Sequence, residues 1–457
     1  MTVMVKGKIL EVVKAPENWE IIQQTGGFAD VEIEVRIGDN PDDDTDFEIP
    51  FSDEKIYARI VNEESGEFVT SLEKLEKNND GYFCTLKKVP CGGPYLLDFA
   101  LFDRKNGVYL PLIGKRRRHF YVGDVYIIAG QSNAAGMGRG FITEVAEMGI
   151  HILRDMQHWD IATQPFSDLD YSKQSMFLSF AKRIKKASGV PVGLIPAAMG
   201  GAPLSRWQNG DLYKKLINAL KAHKISAKAV LWYQGCADVW EDGYLERFKS
   251  FVKDIRADLG DIPIFTFQLN RQKFKEYEEE NDLKFDILRE AQRRAAKEIE
   301  KLYVLPAIDA TVMSDFIHNA KASNIMLGER LAVQVLDKLY GIGKGADAPE
   351  IAKAYFMAER EIKLEFENVT EFLYEFNAPI ADFPIKAEDD DGALAIADYA
   401  VSGDTVTLFL KRAQKGEVYL KGQSGSDPKN IIIDIGTQIP MLCFHRFKVE
   451  RGATFGN

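Results

Sequence analysis

The sequence is poor in the residues that build metal centres and disulfide frameworks: its 457 residues include only six histidines and four cysteines. The histidines form no H-E-x-x-H or other local ligand cluster, so neither a metal nor another cofactor is expected. Cys84, Cys91, Cys236 and Cys443 are scattered without paired ligand spacing. Cys84 and Cys91 are close enough in sequence for a local bridge, but buried free thiols are the expected state. No apolar run approaches the ~20 residues of a membrane-spanning helix. The opening Met1–Gly7 lacks the basic, apolar and small-residue succession of a secretory leader. A cytoplasmic location is therefore expected of the chain as it stands, or a secreted one if a leader has been removed. Positive charge is also short. A formal net charge of -11 argues against nucleic acid or an anionic membrane as the main partner. The one basic run, Lys115–His119, reads as a solvated strand end. Gly136-Met137-Gly138-Arg139-Gly140 has neither G-x-G-x-x-G spacing nor the Gly-Lys-Ser/Thr of a P-loop, so nucleotide binding is not expected.

What is present is an ordinary globular composition, on a chain longer than one core usually organises. Three sections are legible. Residues 1–120 carry short alternating runs such as Val31–Val35 and Tyr95–Phe99, with turn signals at Pro41–Asp44 and Cys91–Pro94, and predict an antiparallel β-sandwich-like domain. Across 121–345, apolar runs at 125–129, 192–195, 229–233, 264–269 and 303–308 alternate with amphipathic stretches. One such stretch places Phe177, Phe180, Ala181 and Ile184 on a single helical face and ends at Gly189; another aligns Leu288, Ala291, Ala295 and Ile299. That rhythm predicts an α/β domain with a parallel sheet, whose sites form along the C-terminal edge of the strands. Residues 346–457 lose the helix signals, and 406–410 and 431–435 read as strands of a C-terminal β domain.

Distinctive residues gather at the predicted strand ends. Gly130-Gln131-Ser132-Asn133 follows the first strand and delivers a hydroxyl to a strand-to-helix turn, where backbone N–H groups favour an oxyanion. A lone serine there is also an ordinary helix cap, so the other loops decide. Gly200-Gly201 follows the second strand and lets backbone N–H groups approach a ligand. Gln234, after the third, offers a side-chain amide as oxyanion donor. Asp315-Phe316-Ile317-His318 follows the fifth, a spacing that can set a carboxylate beside Nδ1 and leave Nε2 for the serine.

The order Gly-Gln-Ser-Asn (130–133), Val192–Leu204 with its Met-Gly-Gly-Ala-Pro-Leu, Trp-Tyr-Gln-Gly (232–235) and Asp-x-x-His (315–318) resembles the sialate O-acetylesterase branch of the SGNH hydrolases. Gly123-Asp124-Val125 and Pro440–Arg446 extend the resemblance outward. It implies a three-layer α/β SGNH hydrolase domain, with Ser132 as nucleophile, His318 as base and Asp315 orienting it. It further implies an oxyanion site from the N–H of Ser132, an N–H at Gly200 or Gly201, and the Gln234 amide, with Gln131, Asn133, Trp207 and Asp238 contacting substrate. The substrates implied are acetyl esters of carbohydrates, on sialic acid or plant polysaccharide. Two positions depart from the family's habit: an acidic residue is common where Cys236 stands, and a proline where Asn319 follows the histidine. Trp207, Trp232, Trp240 and Tyr244 lie near the motif loops and are available to stack on sugar rings if they escape the core. The competing expectations are a general short-chain or lipase-like esterase and a carbohydrate-binding protein without turnover.

Overall fold

The computed structural model describes residues 8–39, 56–103, 108–111, 117–140, 144–166, 172–276 and 279–451. The Pro41–Asp44 turn, Met1–Gly7, Lys115 and Arg116 lie outside the described residues.

The strand preceding Ser132 is longer than its apolar run suggests. Strand β1 spans Phe120–Gly130 and every residue in it is buried. Its first part pairs with flanking strands of the N-terminal section, parallel to Ile21–Gln23 and antiparallel to Gly92–Asp103. Its second part is the centre of a sheet. The remaining strands there are β2 (Ile150–Arg154), β3 (His158–Ile161), β4 (Val192–Pro196), β5 (Ala229–Tyr233), β6 (Ile264–Gln268) and β7 (Leu302–Pro306). They run in the order β3-β2-β4-β1-β5-β6-β7, all parallel except β3 against β2. β5 and β6 are buried along their whole length, which is why their sequences read as unbroken apolar runs. The chain fills one flank of β1, then crosses to the other. A crevice opens at such a reversal, beyond the C-terminal ends of β1, β4 and β5.

Five longer helices contribute buried residues to the core around the sheet: α2 (Phe177–Ser188), α3 (Asp211–His223), α4 (Tyr244–Leu259), α5 (Glu279–Glu298) and α6 (Lys321–Val335). The face expected on α2 is buried, and Gly189 ends the helix in the left-handed conformation. α2 packs on α6 and α4 on α5. The first pair touches closely: a Cβ on Gly328 would stand 2.1 Å from the Met176 carbonyl oxygen. On α5, Leu288 and Ala295 are buried as the periodicity predicts, but so are Asp286, Arg289 and Gln292. Periodicity cannot anticipate those three, because they are buried by hydrogen-bond partners from other elements.

Buried side chains fall into three clusters. One lies under the parallel sheet, one joins Val31, Ile33, Val35, Ile60, Leu86 and Leu97 in the N-terminal section, and one joins Ile351, Ile362, Leu364, Val406, Leu408 and Met441 in the C-terminal section. The 431–435 run is a strand only at Ile433–Asp434. There the Asp434 carboxylate accepts N–H bonds from Thr370, Glu371 and Thr437, so the backbone turns instead of continuing the ladder. All four cysteines are free; burial raises the Cys84 thiol to about 12 and Cys91 to about 11. No helix among the described residues is long and apolar enough to cross a membrane.

Candidate active site

Ser132 opens the four-residue helix α1 (Ser132–Ala135) directly after β1. The turn depends on Gly130, whose φ of 127° is closed to most side chains and whose Cβ would lie 2.2 Å from the Tyr233 carbonyl oxygen. Three strand ends are sewn together at this point. Gln131 N–H donates to Tyr233 O at 2.9 Å, and Met199 N–H donates to Gly130 O at 3.2 Å. The Gly200-Gly201 pair occupies the middle of a turn closed by Ala202 N–H to Met199 O at 3.3 Å, with Gly201 at φ 68°.

Asp315 and His318 sit on a hairpin closed by Met313 N–H to His318 O at 2.8 Å and Ala320 N–H to Thr311 O at 2.7 Å. His318 Nδ1 lies 2.9 Å from Asp315 Oδ2, while Asp315 Oδ1 accepts the N–H groups of Ile317 and His318 at 3.2 and 3.1 Å. Partial burial pushes the Asp315 carboxyl upward, but the His318 ring and the two N–H donors outweigh it and hold the group below the usual carboxylate range. A charged partner on Nδ1 fixes the ring so that Nε2 is the nitrogen left free.

Ser132, Gln131, Gly200, Gly201 and His318 line one pocket of about 400 Å³, together with Met137, Cys236, Ala237 and Ile317. Among the described residues no hydrogen bond joins the Ser132 hydroxyl to the imidazole, a bond that in ligand-free enzymes is often long and tightens with substrate. Among the described residues, no three His, Cys, Asp or Glu side chains gather as a metal-ligand set.

Residues 122–337 match the family described as carbohydrate esterase, sialic acid-specific acetylesterase. Over this segment the chain is similar to that carbohydrate esterase family. A probable carbohydrate esterase of Arabidopsis thaliana is 26% identical over 239 residues, covering 46% of this chain and 88% of that protein. The crystal structure of a carbohydrate acetylesterase from Xanthomonas citri matches over 94% of this chain and 98% of its own, with a TM-score of 0.66 at 19% identity. At that identity the likeness is one of fold, and it spans the flanking sections as well as the esterase segment.

Four residues expected to meet the substrate or the oxyanion, Gln234, Asp238, Trp207 and Asn133, are not among those lining the pocket. Gln234 is fully buried; its amide nitrogen donates to Asp238 Oδ2 at 2.5 Å and Ala202 O at 3.3 Å, and its oxygen accepts from the Tyr244 hydroxyl. Both amide hydrogens are thus engaged with acceptors below the surface, one of them a carboxylate. Asp238 is also fully buried, held by Gln234, by Leu204 N–H and by Arg247 at 2.8 Å. Trp207 packs in the core, edge to face with Trp232 at 5.4 Å. Trp232 and Tyr244 are core residues too, leaving Trp240 as the exposed member of that aromatic set.

Gln131 and Asn133 flank Ser132, and of the two Gln131 lines the pocket while Asn133 is buried behind it. Gln131 Oε1 accepts Gly235 N–H and Ala237 N–H at 3.1 and 3.2 Å, so its amide nitrogen is the end not committed to this loop. Asn133 Oδ1 accepts the N–H of Asn319 at 3.1 Å. On the other side of His318, Asn270 Nδ2 donates to Ile317 O and to Asn319 Oδ1, both at 2.9 Å. The residue after the serine is therefore bonded to the residue after the histidine. Asn270 is not singled out by the sequence, although it lies in a strand-end loop, and Asn319 stands out there only as a departure from the family's proline, without a role of its own. A proline at 319 would have had no N–H to give Asn133.

Proposed function

We propose that the esterase segment is a serine hydrolase that removes O-acetyl groups from carbohydrates through an acetyl-enzyme, on a three-layer SGNH domain. The observation that carries this reading is the Asp315–His318 pair at 2.9 Å opening on the same pocket as Ser132 and Gly200-Gly201. His318 Nε2 takes the Ser132 proton as Oγ attacks the acetyl carbon, then returns a proton to the departing sugar oxygen. Water repeats the sequence in reverse to release acetate. Asp315, charged well below neutral pH, holds the tautomer and stabilises the imidazolium. The oxyanion is met by the N–H of Ser132, an N–H at Gly200 or Gly201 and, in place of Gln234, the amide nitrogen of Gln131. Sialic acid and plant polysaccharide esters both remain within this substrate class. We further propose three domains, 1–120, 121–345 and 346–457, which the three buried clusters support.

Acetate release from acetylated sialic acids, xylan and xylo-oligosaccharides tests the reading. Ser132→Ala and His318→Ala should each lower kcat by several orders of magnitude, and the double variant by no more than either alone, because the two act as one unit. Losses that multiply would mean that His318 is not the base for Ser132.

A further inference from the structure

We propose that Trp240 and Phe316 form a sugar-stacking platform that leads from the catalytic pocket to a second, polar cavity, and that the preferred substrate is an acetylated oligosaccharide and not a free monosaccharide. This rests on the esterase reading above and specifies its substrate class. Phe316 is the first observation. It is 43% exposed and has a φ of 65°, a left-handed conformation that a bulky residue adopts only at a cost and that glycine would take freely. An exposed aromatic kept in a strained backbone next to His318 earns its place through its side chain. Trp240 is the second. It lies in the loop after β5, 49% exposed, three residues beyond Ala237 of the pocket wall. Its ring meets Phe274 edge on at 6.3 Å.

Phe274 leads to the third observation. With Lys273, Lys275 and Glu276 it lines a cavity of about 580 Å³ whose other walls are Asn281 and Asp282 of α5 and, in the C-terminal section, residues 381–384, 386 and 423–430. The two cavities are mechanically joined, since Lys273 N–H donates to Phe316 O at 2.9 Å, and Ile317 beside Phe316 lines the catalytic pocket. The larger cavity is built rigidly. Asp282 Oδ1 accepts both the N–H and the hydroxyl of Ser426, at 2.7 and 2.8 Å, and the buried Arg289 donates to Gly425 O and Asn270 O. Its lining alternates lysines with carboxylates, chemistry suited to sugar hydroxyls and hostile to an acyl chain. Exposed ring faces beside polar walls are what successive pyranose rings require: apolar C–H faces stack while the hydroxyls around them hydrogen-bond.

The test measures deacetylation of xylo-, manno- and gluco-oligosaccharides of one to four units, alongside 4-nitrophenyl acetate, in wild type, Trp240→Ala and Phe316→Gly. In the wild type, KM should fall by about tenfold as the chain lengthens, the size of one aromatic stacking contact. Both variants should abolish that gain, and Trp240→Ala, which lies outside the catalytic hairpin, should leave 4-nitrophenyl acetate turnover within about twofold. Phe316→Gly should also have an unchanged or higher thermal midpoint, because it relieves the left-handed strain, so misfolding cannot imitate the result. A wild-type KM independent of chain length on all three backbones overturns the proposal, as does equal damage to both substrate types in Trp240→Ala. Ser132→Ala on 4-nitrophenyl acetate is judged separately: turnover surviving there defeats the serine reading, whereas length dependence alone decides the platform.

Discussion

His151 gives the sharpest quantitative test of how the esterase segment holds the N-terminal section. It sits on β2, fully buried, with Nδ1 2.5 Å from the Trp19 carbonyl oxygen and its ring edge-on to Trp19 and Tyr121 at 5.5 and 4.9 Å. Nε2 has no hydrogen-bond partner among the described residues. Burial lowers its pKa from 6.5 to about 4, against the opposing pull of the Trp19 carbonyl and Asp160. Between those values the unfolded chain binds a proton that the folded chain refuses, so stability is complete above pH 6.5 and is lost as pH falls toward 4. At about 1.4 kcal/mol per pH unit, the full loss is about 3 kcal/mol. By pH 4.5 about 2.5 kcal/mol of it is spent. Burial acts in the other direction on Glu20 and Asp286, raised to about 7 and about 6. These groups contribute stability at low pH that is lost as pH rises through their folded values, so the wild-type curve alone mixes opposing effects. His151→Asn isolates one of them, because the Asn amide keeps a donor for the Trp19 carbonyl and cannot ionise. Urea unfolding followed by tryptophan fluorescence at pH 7.5 and 4.5 should show wild type losing about 2.5 kcal/mol relative to the variant. A difference that stays flat between the two pH values would refute the buried neutral imidazole.

Gln234→Ala should destabilise by about 1–3 kcal/mol, because it strips a donor from the buried Asp238, and change kcat less than tenfold. Gln131→Glu keeps the acceptor for Gly235 and Ala237 but loses the N–H donor, and should lower kcat by roughly 10²- to 10³-fold; a rise in KM alone would return Gln131 to substrate binding. Asn133→Ala leaves the buried N–H of Asn319 unpaired, costing about 1–3 kcal/mol in thermal or urea stability. It should also lower kcat, and Asn133→Asp, which still accepts that N–H, should restore stability; equal damage from both would sever Asn133 from Asn319.

The features legible in the sequence are those set by near neighbours. Alternation and apolar runs place β5 and β6, Gly130 allows the turn before Ser132, and a spacing of three on a tight hairpin is enough to bring Asp315 to His318. Each depends on backbone geometry over a few residues. Where a polar side chain spends its hydrogen bonds is a different matter. Gln131 and Gln234 both follow buried strands and are chemically identical, yet one opens on the pocket and the other is consumed by Asp238, Ala202 and Tyr244. Trp207 and Trp240 are likewise indistinguishable in sequence until packing buries one and leaves the other in water. Some of the partners that decide these cases are near in sequence, such as Asp238 and Tyr244 for Gln234, but others lie 32 residues away, as Ala202 from Gln234, or 104 and 106, as Gly235 and Ala237 from Gln131, so only the closed fold brings them into competition. The sequence by itself determined the strand ends and the chemistry carried to them; the tertiary structure decided which amide lines the pocket and which indole stays exposed, because burial and long-range hydrogen bonding are properties of the packed chain alone.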